Sequence, residues 1–288
     1  ASDMPTVTIT ATVLDSLGKP ISGLTADNFR LTGELADTAE VVSVENVADD
    51  GLSFATVLVI DTSSSMSDVP LRNAQEAARQ FVSAIGDQDP VAIVTFDTEA
   101  RLVLDYTTDK DAMLNMINSL AYGGRTALYD AGLLGVDKAA DSEMPRRAVI
   151  LLSDGAEYGG VSAAERGDAL DEAYIRGVSV YTIGLGYGFD RTYLQELSDG
   201  TNARYYESPE SEELIEIYNN LAFLLRSQYV ITLSADVPLD GTEYELVMDA
   251  ETDLGISNTD TAVLRSPIPV PLVSLPDGIF AEAVAAPV

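Results

Sequence analysis

The segment FATVLVIDTSSS, Phe54 to Ser65, decides how this chain is read. Its first part is a continuous apolar run without the polar alternation of a half-solvated strand. Such a run is expected of a strand buried on both faces, as in a parallel sheet covered by helices. Its second part places Asp61, Ser63 and Ser65 on the turn that follows. In an open α/β sheet, ligands bind outside the carboxyl ends of the strands. These three side chains are therefore delivered to the functional edge. One carboxylate and two hydroxyls on a tight turn make part of a hard-cation site with incomplete coordination.

Working outward from this segment, strands and helices alternate. A helix is predicted from about Asp68 to Ile85, with Pro70 in the first turn, where its missing N–H costs nothing. VAIVTFDT (Val91 to Thr98) and ARLVLDYT (Ala100 to Thr107) read as strands, and Asp109 caps a helix to about Leu120. After AYGGR comes a helix from about Thr126 to Ala140, then the buried strand RRAVILLSD, Arg146 to Asp154. A helix from about Ser162 to Arg176 ends at Gly177, which suits a left-handed cap. VSVYTIGLG (Val178 to Gly186), a short helix near Arg191 to Leu197, the strand ARYYE and a helix from about Pro209 to Leu225 complete the set. This alternation implies a doubly wound, mostly parallel sheet with helices on both faces.

Both chain ends read as β-structure. VTITATVLD (Val7 to Asp15) alternates with period two, AEVVSVENV (Ala39 to Val47) is another strand, and ISGLTADNFRLTG between them reads as irregular. SQYVITLSA, EYELVMDAE and DTAVLRS follow the last helix. The expected organisation is a small β-sandwich from residues 1–50 and 228–266, with the α/β unit, residues 51–227, inserted in it. Residues 267–288, PIPVPLVSLPDGIFAEAVAAPV, are Pro-rich and apolar and read as a tail or linker.

Composition narrows the chemistry. The chain has 288 residues and no His, Cys or Trp, which leaves no imidazole base, no thiol nucleophile and no thiolate metal site. Any metal must be held by hard oxygen donors, which suit Mg²⁺, Ca²⁺ or Mn²⁺. With 16 basic and 47 acidic residues the formal charge is −31, which opposes binding to nucleic acid or anionic lipid. Three Lys against 28 Asp point to a salt-adapted or calcium-rich setting. No stretch of 18 or more apolar residues is present, so no membrane span is expected within this chain. The first residue is Ala1, and a secreted chain whose signal peptide has been removed is the expectation.

The Asp-x-Ser-x-Ser turn after the first buried strand resembles the metal-ion-dependent adhesion site of the von Willebrand factor type A domain family. That family also has a Thr on a second loop and an Asp on a third. GGRTALYDA presents Thr126, and LLSDG presents Asp154, in the same order. The resemblance covers roughly residues 52–227 and implies that Asp61, Ser63, Ser65, Thr126 and Asp154 hold a divalent cation. Mg²⁺ is the first choice, with Ca²⁺ or Mn²⁺ as alternatives. The family uses the cation's open position to grip an acidic side chain of a protein ligand. The flanking strands resemble extensions of bacterial members.

Other candidates carry less chemistry. Asp97 and Asp130 could orient water or hydroxyls near the site, or be solvated or capping carboxylates. Glu210, Glu212, Glu213 and Glu216 read as a helix start and solvated face, as do Asp168, Asp171 and Glu172 on another helix. Gly184, Gly186 and Gly188 in IGLGYG lack the GK[ST] element of a phosphate loop. Tyr158, Tyr187 and Phe189 fall on loops at the ligand edge or fill space. The expected function is a metal-dependent protein-binding module, extracellular or on a cell surface, and not an enzyme. The alternative is a structural or assembly component of a surface filament, envelope or secretion complex, with possible self-assembly, motivated by the β segments and the tail.

Overall fold

The computed structural model describes residues 6–14, 20–46, 53–144, 146–208, 211–238, 240, 242–252 and 257–265. The expected Pro-rich tail lies outside them. The chain divides into two compact units, one of residues 1–50 with 227–288 and the other of residues 51–226.

The first unit opens with β1 (Thr6–Ala11), β2 (Phe29–Thr32) and β3 (Ala39–Asn46). The second unit follows as β4 (Ala55–Asp61), α1 (Val69–Ala84), β5 (Val91–Phe96), β6 (Ala100–Thr107), α2 (Lys110–Ser119), α3 (Leu128–Ala140), β7 (Arg147–Ser153), α4 (Asp168–Arg176), β8 (Ser179–Leu185), α5 (Arg191–Asp199), β9 (Tyr205–Ser208) and α6 (Ser211–Arg226). The chain then returns to the first unit with β10 (Tyr229–Ala235), β11 (Glu243–Glu251) and β12 (Ser257–Arg265).

In the second unit six strands form one sheet in the order β6-β5-β4-β7-β8-β9. All neighbours are parallel except β6, which runs antiparallel to β5. The apolar run quoted first is β4, buried at every residue in the middle of the sheet. Its alternate side chains Val57 and Val59 join Val94, Val149 and Val180 from the neighbouring strands against Leu128, Ala131 and Val136 of α3, Ala169 and Ala173 of α4, and Leu194 of α5. Elsewhere in the unit α1 packs on α6, with Phe81 and Tyr218 meeting edge to face at 6.1 Å. Two buried faces explain why β4, β5, β7 and β8 lack polar alternation.

In sequence order the strands of this sheet wind outward in two directions from the β4–β7 pair. That pair is the switch point, where the connections diverge and leave a crevice at the carboxyl ends. Asp61 ends β4 and Ser153 ends β7.

Two element expectations are corrected. The helix expected from Thr126 begins at Leu128, because Thr126 instead forms an isolated bridge with Tyr158. The helix expected from Ser162 begins at Asp168. The Asp130 carboxylate takes the N–H groups of Ala163 and Ala164 (2.8 and 2.7 Å), and Glu157 takes those of Val161 and Ser162 (3.1 Å each). Those donors hold the segment as a shaped loop rather than a first helical turn. Gly177 does take the left-handed cap conformation, at φ +63°.

In the first unit β10 lies between β1 and β3, and β11 between β12 and β2, all antiparallel. Phe29, Leu31, Tyr229, Ile231, Leu233 and Leu246 from the two sheets share one core. The Ile21–Gly33 stretch, expected to be irregular, contains β2, whose Phe29 and Leu31 face that core. Among the described residues no helix is long and apolar enough to cross a membrane.

Candidate metal centre

Three loops at the carboxyl edge build the site. The first leaves β4 at Asp61, whose side chain is fully buried. The Ser63 N–H donates to its Oδ1 (2.8 Å), and the Ser153 hydroxyl at the end of β7 donates to its Oδ2 (2.6 Å). Ser63 is buried and Ser65 exposed, with their hydroxyl oxygens 2.9 Å apart. Ser65 Oγ donates to Asp154 Oδ1 at 2.6 Å. A single chain of contacts therefore joins Ser63, Ser65 and Asp154.

The second loop brings Thr126, 5% exposed. It is fastened to the first loop: the Gly123 N–H donates to Thr62 O (2.8 Å), and the Ser64 hydroxyl donates to Gly124 O (2.8 Å). It is also fastened to the β5–β6 turn, where the Ala127 N–H donates to Asp97 O (2.7 Å). The third loop carries Gly155 between the hydroxyls of the other two. A Cβ added there would lie 3.6 Å from Thr126 Oγ1 and 3.7 Å from Ser65 Oγ. All five residues singled out in the sequence thus converge on one small region.

Electrostatics follow from burial. Burial pushes the Asp61 carboxyl above its usual range, against the bonds from Ser153 and Ser63. Asp154 is pushed up to about 6, chiefly by burial, with the Asp61 charge adding and the Ser65 bond opposing. Among the described residues no Lys or Arg pairs with either carboxylate. Nor are three acidic side chains placed together to hold a metal ion anywhere among them. Two carboxylates and three hydroxyls, partly withdrawn from water and in no ion pair among the described residues, fit a hard divalent cation. Buried charges are ordinarily paired or coordinate a metal. Asp61, Ser63, Ser65, Thr126 and Asp154 would hold the ion, directly or through water, and it would supply a Lewis-acidic position for an oxygen ligand.

The remaining candidates separate cleanly. The Asp97 carboxylate is engaged by Arg101 (3.0 and 3.2 Å); its backbone carbonyl, not its side chain, supports the second loop. Asp130 shapes the loop before α4. Glu213 and Glu216 are exposed on α6, while Glu210 and the side chain of Glu212 lie outside the described residues. Asp168 and Asp171 are exposed on α4, and Glu172 is half-buried and lies 3.6 Å from Arg176. Gly184 is glycine for packing: an added Cβ would lie 2.4 Å from the Phe189 ring. Tyr158 and Tyr187 are 68% and 90% exposed, whereas Phe189 is half-buried against Tyr205.

Thr126 does not cap α3. The Glu157 carboxylate takes the Leu128 N–H (2.9 Å) instead, and with it the Ser162 hydroxyl (2.7 Å). Ser153 and Glu157 are the two contributors that sequence reading missed. The position of Ser153, just before Asp154 at a strand's end, was the available signal.

The von Willebrand factor type A domain model matches residues 56–220, more than half of the chain. The chain belongs to this family. The family domain is thus the second unit, with the three site loops inside the matched region. An uncharacterised protein of Synechocystis is 26% identical over 177 residues, covering 58% of this chain and 42% of that relative, so the match spans less than half the relative's length. A von Willebrand factor type A structure from Catenulispora acidiphila superposes with a TM-score of 0.56 at 14% identity, covering 92% of this chain and 74% of that one. Proximal thread matrix protein 1 from the mussel byssus, solved with a zinc-occupied adhesion-site motif, gives a TM-score of 0.54 at 21% identity, covering 68% of this chain and 50% of that one. Both structural likenesses are likenesses of fold.

Proposed function

We propose that this chain is a metal-dependent protein-binding module that works outside the cell or at its surface. A divalent cation, Mg²⁺ in the first instance, sits among Asp61, Ser63, Ser65, Thr126 and Asp154 and completes its coordination with an acidic side chain of a protein partner. The observation that carries this is the pair of withdrawn carboxylates, Asp61 and Asp154, held by serine hydroxyls and in no ion pair among the described residues. Hydroxyls contribute ligands without neutralising the ion, so it keeps its appetite for one more anionic oxygen. Both Asp61 oxygens are already engaged by Ser63 and Ser153, which favours holding a ligand over moving protons.

The test is calorimetric titration of metal-stripped protein with Mg²⁺, Ca²⁺ and Mn²⁺, beside Asp61→Ala. One-site binding that disappears in the variant is expected. Heat that is absent in both, or the same in both, would sink the reading.

A second reading, an assembly component of a surface structure, is favoured by the first unit. Among the described residues β1, β3, β2 and β12 each present an edge that no further strand covers, and such edges are templates for pairing with another chain.

A further inference from the structure

We infer that Arg125 is a second anchor beside the metal site, so that the partner segment carries two acidic side chains, one for the cation and one for the guanidinium. This rests on the function proposed above and narrows its ligand.

Arg125 directly precedes Thr126, and its backbone is held on both sides. Its N–H donates to Thr98 Oγ1 (3.0 Å), the preceding carbonyl accepts from Ser64, and the following one accepts from the Tyr158 N–H (3.1 Å). The side chain is exposed and lies across Gly159. A Cβ there would come within 2.8 Å of Arg125 Cδ and 3.3 Å of Nε. Gly159, at φ +85°, leaves the room that the arginine stem occupies.

What the guanidinium lacks is an acid. Carboxylates outnumber basic residues 47 to 16 in this chain; Lys138 and Arg191 each take one, and Arg101 and Arg166 each take two. Arg125, next in sequence to Thr126, makes no ion pair with any described residue. A planar fork of N–H donors matches a carboxylate in two parallel bonds. It also answers a difficulty of the whole molecule. A chain at −31 repels an acidic partner, so a local positive focus beyond the ion helps to seat one.

The experiment compares capped synthetic peptides by nuclear magnetic resonance titration of the Mg²⁺-loaded full chain. One peptide has a single Glu between glycines; three others have two Glu separated by zero, one or two Gly. The reading is the affinity ratio of the best two-acid peptide to the one-acid peptide. A ratio of about five is expected, as for a well-formed but solvent-accessible ion pair. It should fall towards one in Arg125→Gln and in Gly159→Ala, which displaces the stem, and be partly kept in Arg125→Lys. Arg30→Gln, which removes an equal charge from the first unit, should not change it. A ratio near one in the unaltered chain, or one that survives Arg125→Gln, overturns the inference while Mg²⁺-dependent binding of the one-acid peptide leaves the metal reading standing. If no peptide binds in a Mg²⁺-dependent way, the metal reading falls and takes this inference with it.

Discussion

Ser153 occupies the last position of β7, one residue before a metal-site candidate, yet its hydroxyl faces Asp61 on the neighbouring strand. It also accepts from the Gly155 N–H (3.3 Å), so one side chain ties the first and third loops together. Groups that orient a metal ligand commonly change affinity about 10–100-fold when removed. Ser153→Ala is therefore expected to weaken Mg²⁺ binding by roughly that factor, with the fold retained by circular dichroism; unchanged calorimetric affinity would mean that Asp61 is held in place without it. Asp61, Ser63 and Ser65 were legible in the sequence because they follow a recognisable buried strand, and Thr126 and Asp154 because the resemblance to the family implied them. Ser153 was not, because its importance comes from the adjacency of β4 and β7, which only the assembled sheet creates.

At the scale of elements, the loop between β7 and α4 is organised by one carboxylate. Glu157 collects the N–H groups of Leu128, Val161 and Ser162, and so serves as both the cap of α3 and the brace of its own loop. Removing an acceptor from several partly buried donors costs about 1–3 kcal/mol. Glu157→Ala is expected to lower stability by roughly that amount in urea unfolding and to loosen Thr126, which bridges Tyr158 in the same loop. Gly184→Ala should also destabilise, by about 1–3 kcal/mol through overpacking against Phe189, with metal affinity unaltered. The same capture of backbone donors explains why α4 starts later than its composition suggests. The strand β2 escaped sequence reading for a different reason: it is four residues long, and its partner β11 lies at the far end of the chain. The long apolar strands carried their own signal, whereas β2 is a strand only because β11 is beside it.

Across the whole molecule the dominant quantity is charge. An acidic partner approaching a surface at −31 is repelled beyond contact distance, and salt shortens that repulsion to about 8 Å at physiological ionic strength. Association with an acidic protein partner should accelerate as salt rises; a stopped-flow rate that falls steeply with salt would contradict this. A cation held as proposed should also stabilise the fold, because only the native arrangement brings the five side chains together. At 100 times its Kd the gain is about 2.7 kcal/mol, visible as a Tm that rises with Mg²⁺ and not in Asp61→Ala. The division into two units gives a further outcome. A chain cut after Arg226 lacks β10, leaving β1 and β3 without the strand between them. Limited proteolysis of that truncation should degrade the first 50 residues and spare a fragment near residues 51–226.

The placement of β10 also sets an order of events in time. Thr6 pairs with Ser234, and Ala39 with Ala235, so the amino-terminal strands are synthesised long before the partner that completes them. The second unit, whose strands all lie between residues 55 and 208, emerges whole in between and can fold during synthesis. The three site loops are then finished before the β-sheets that flank them in sequence, and refolding is expected in two phases, the fast one restoring the proposed Mg²⁺ binding and the slow one burying Tyr229.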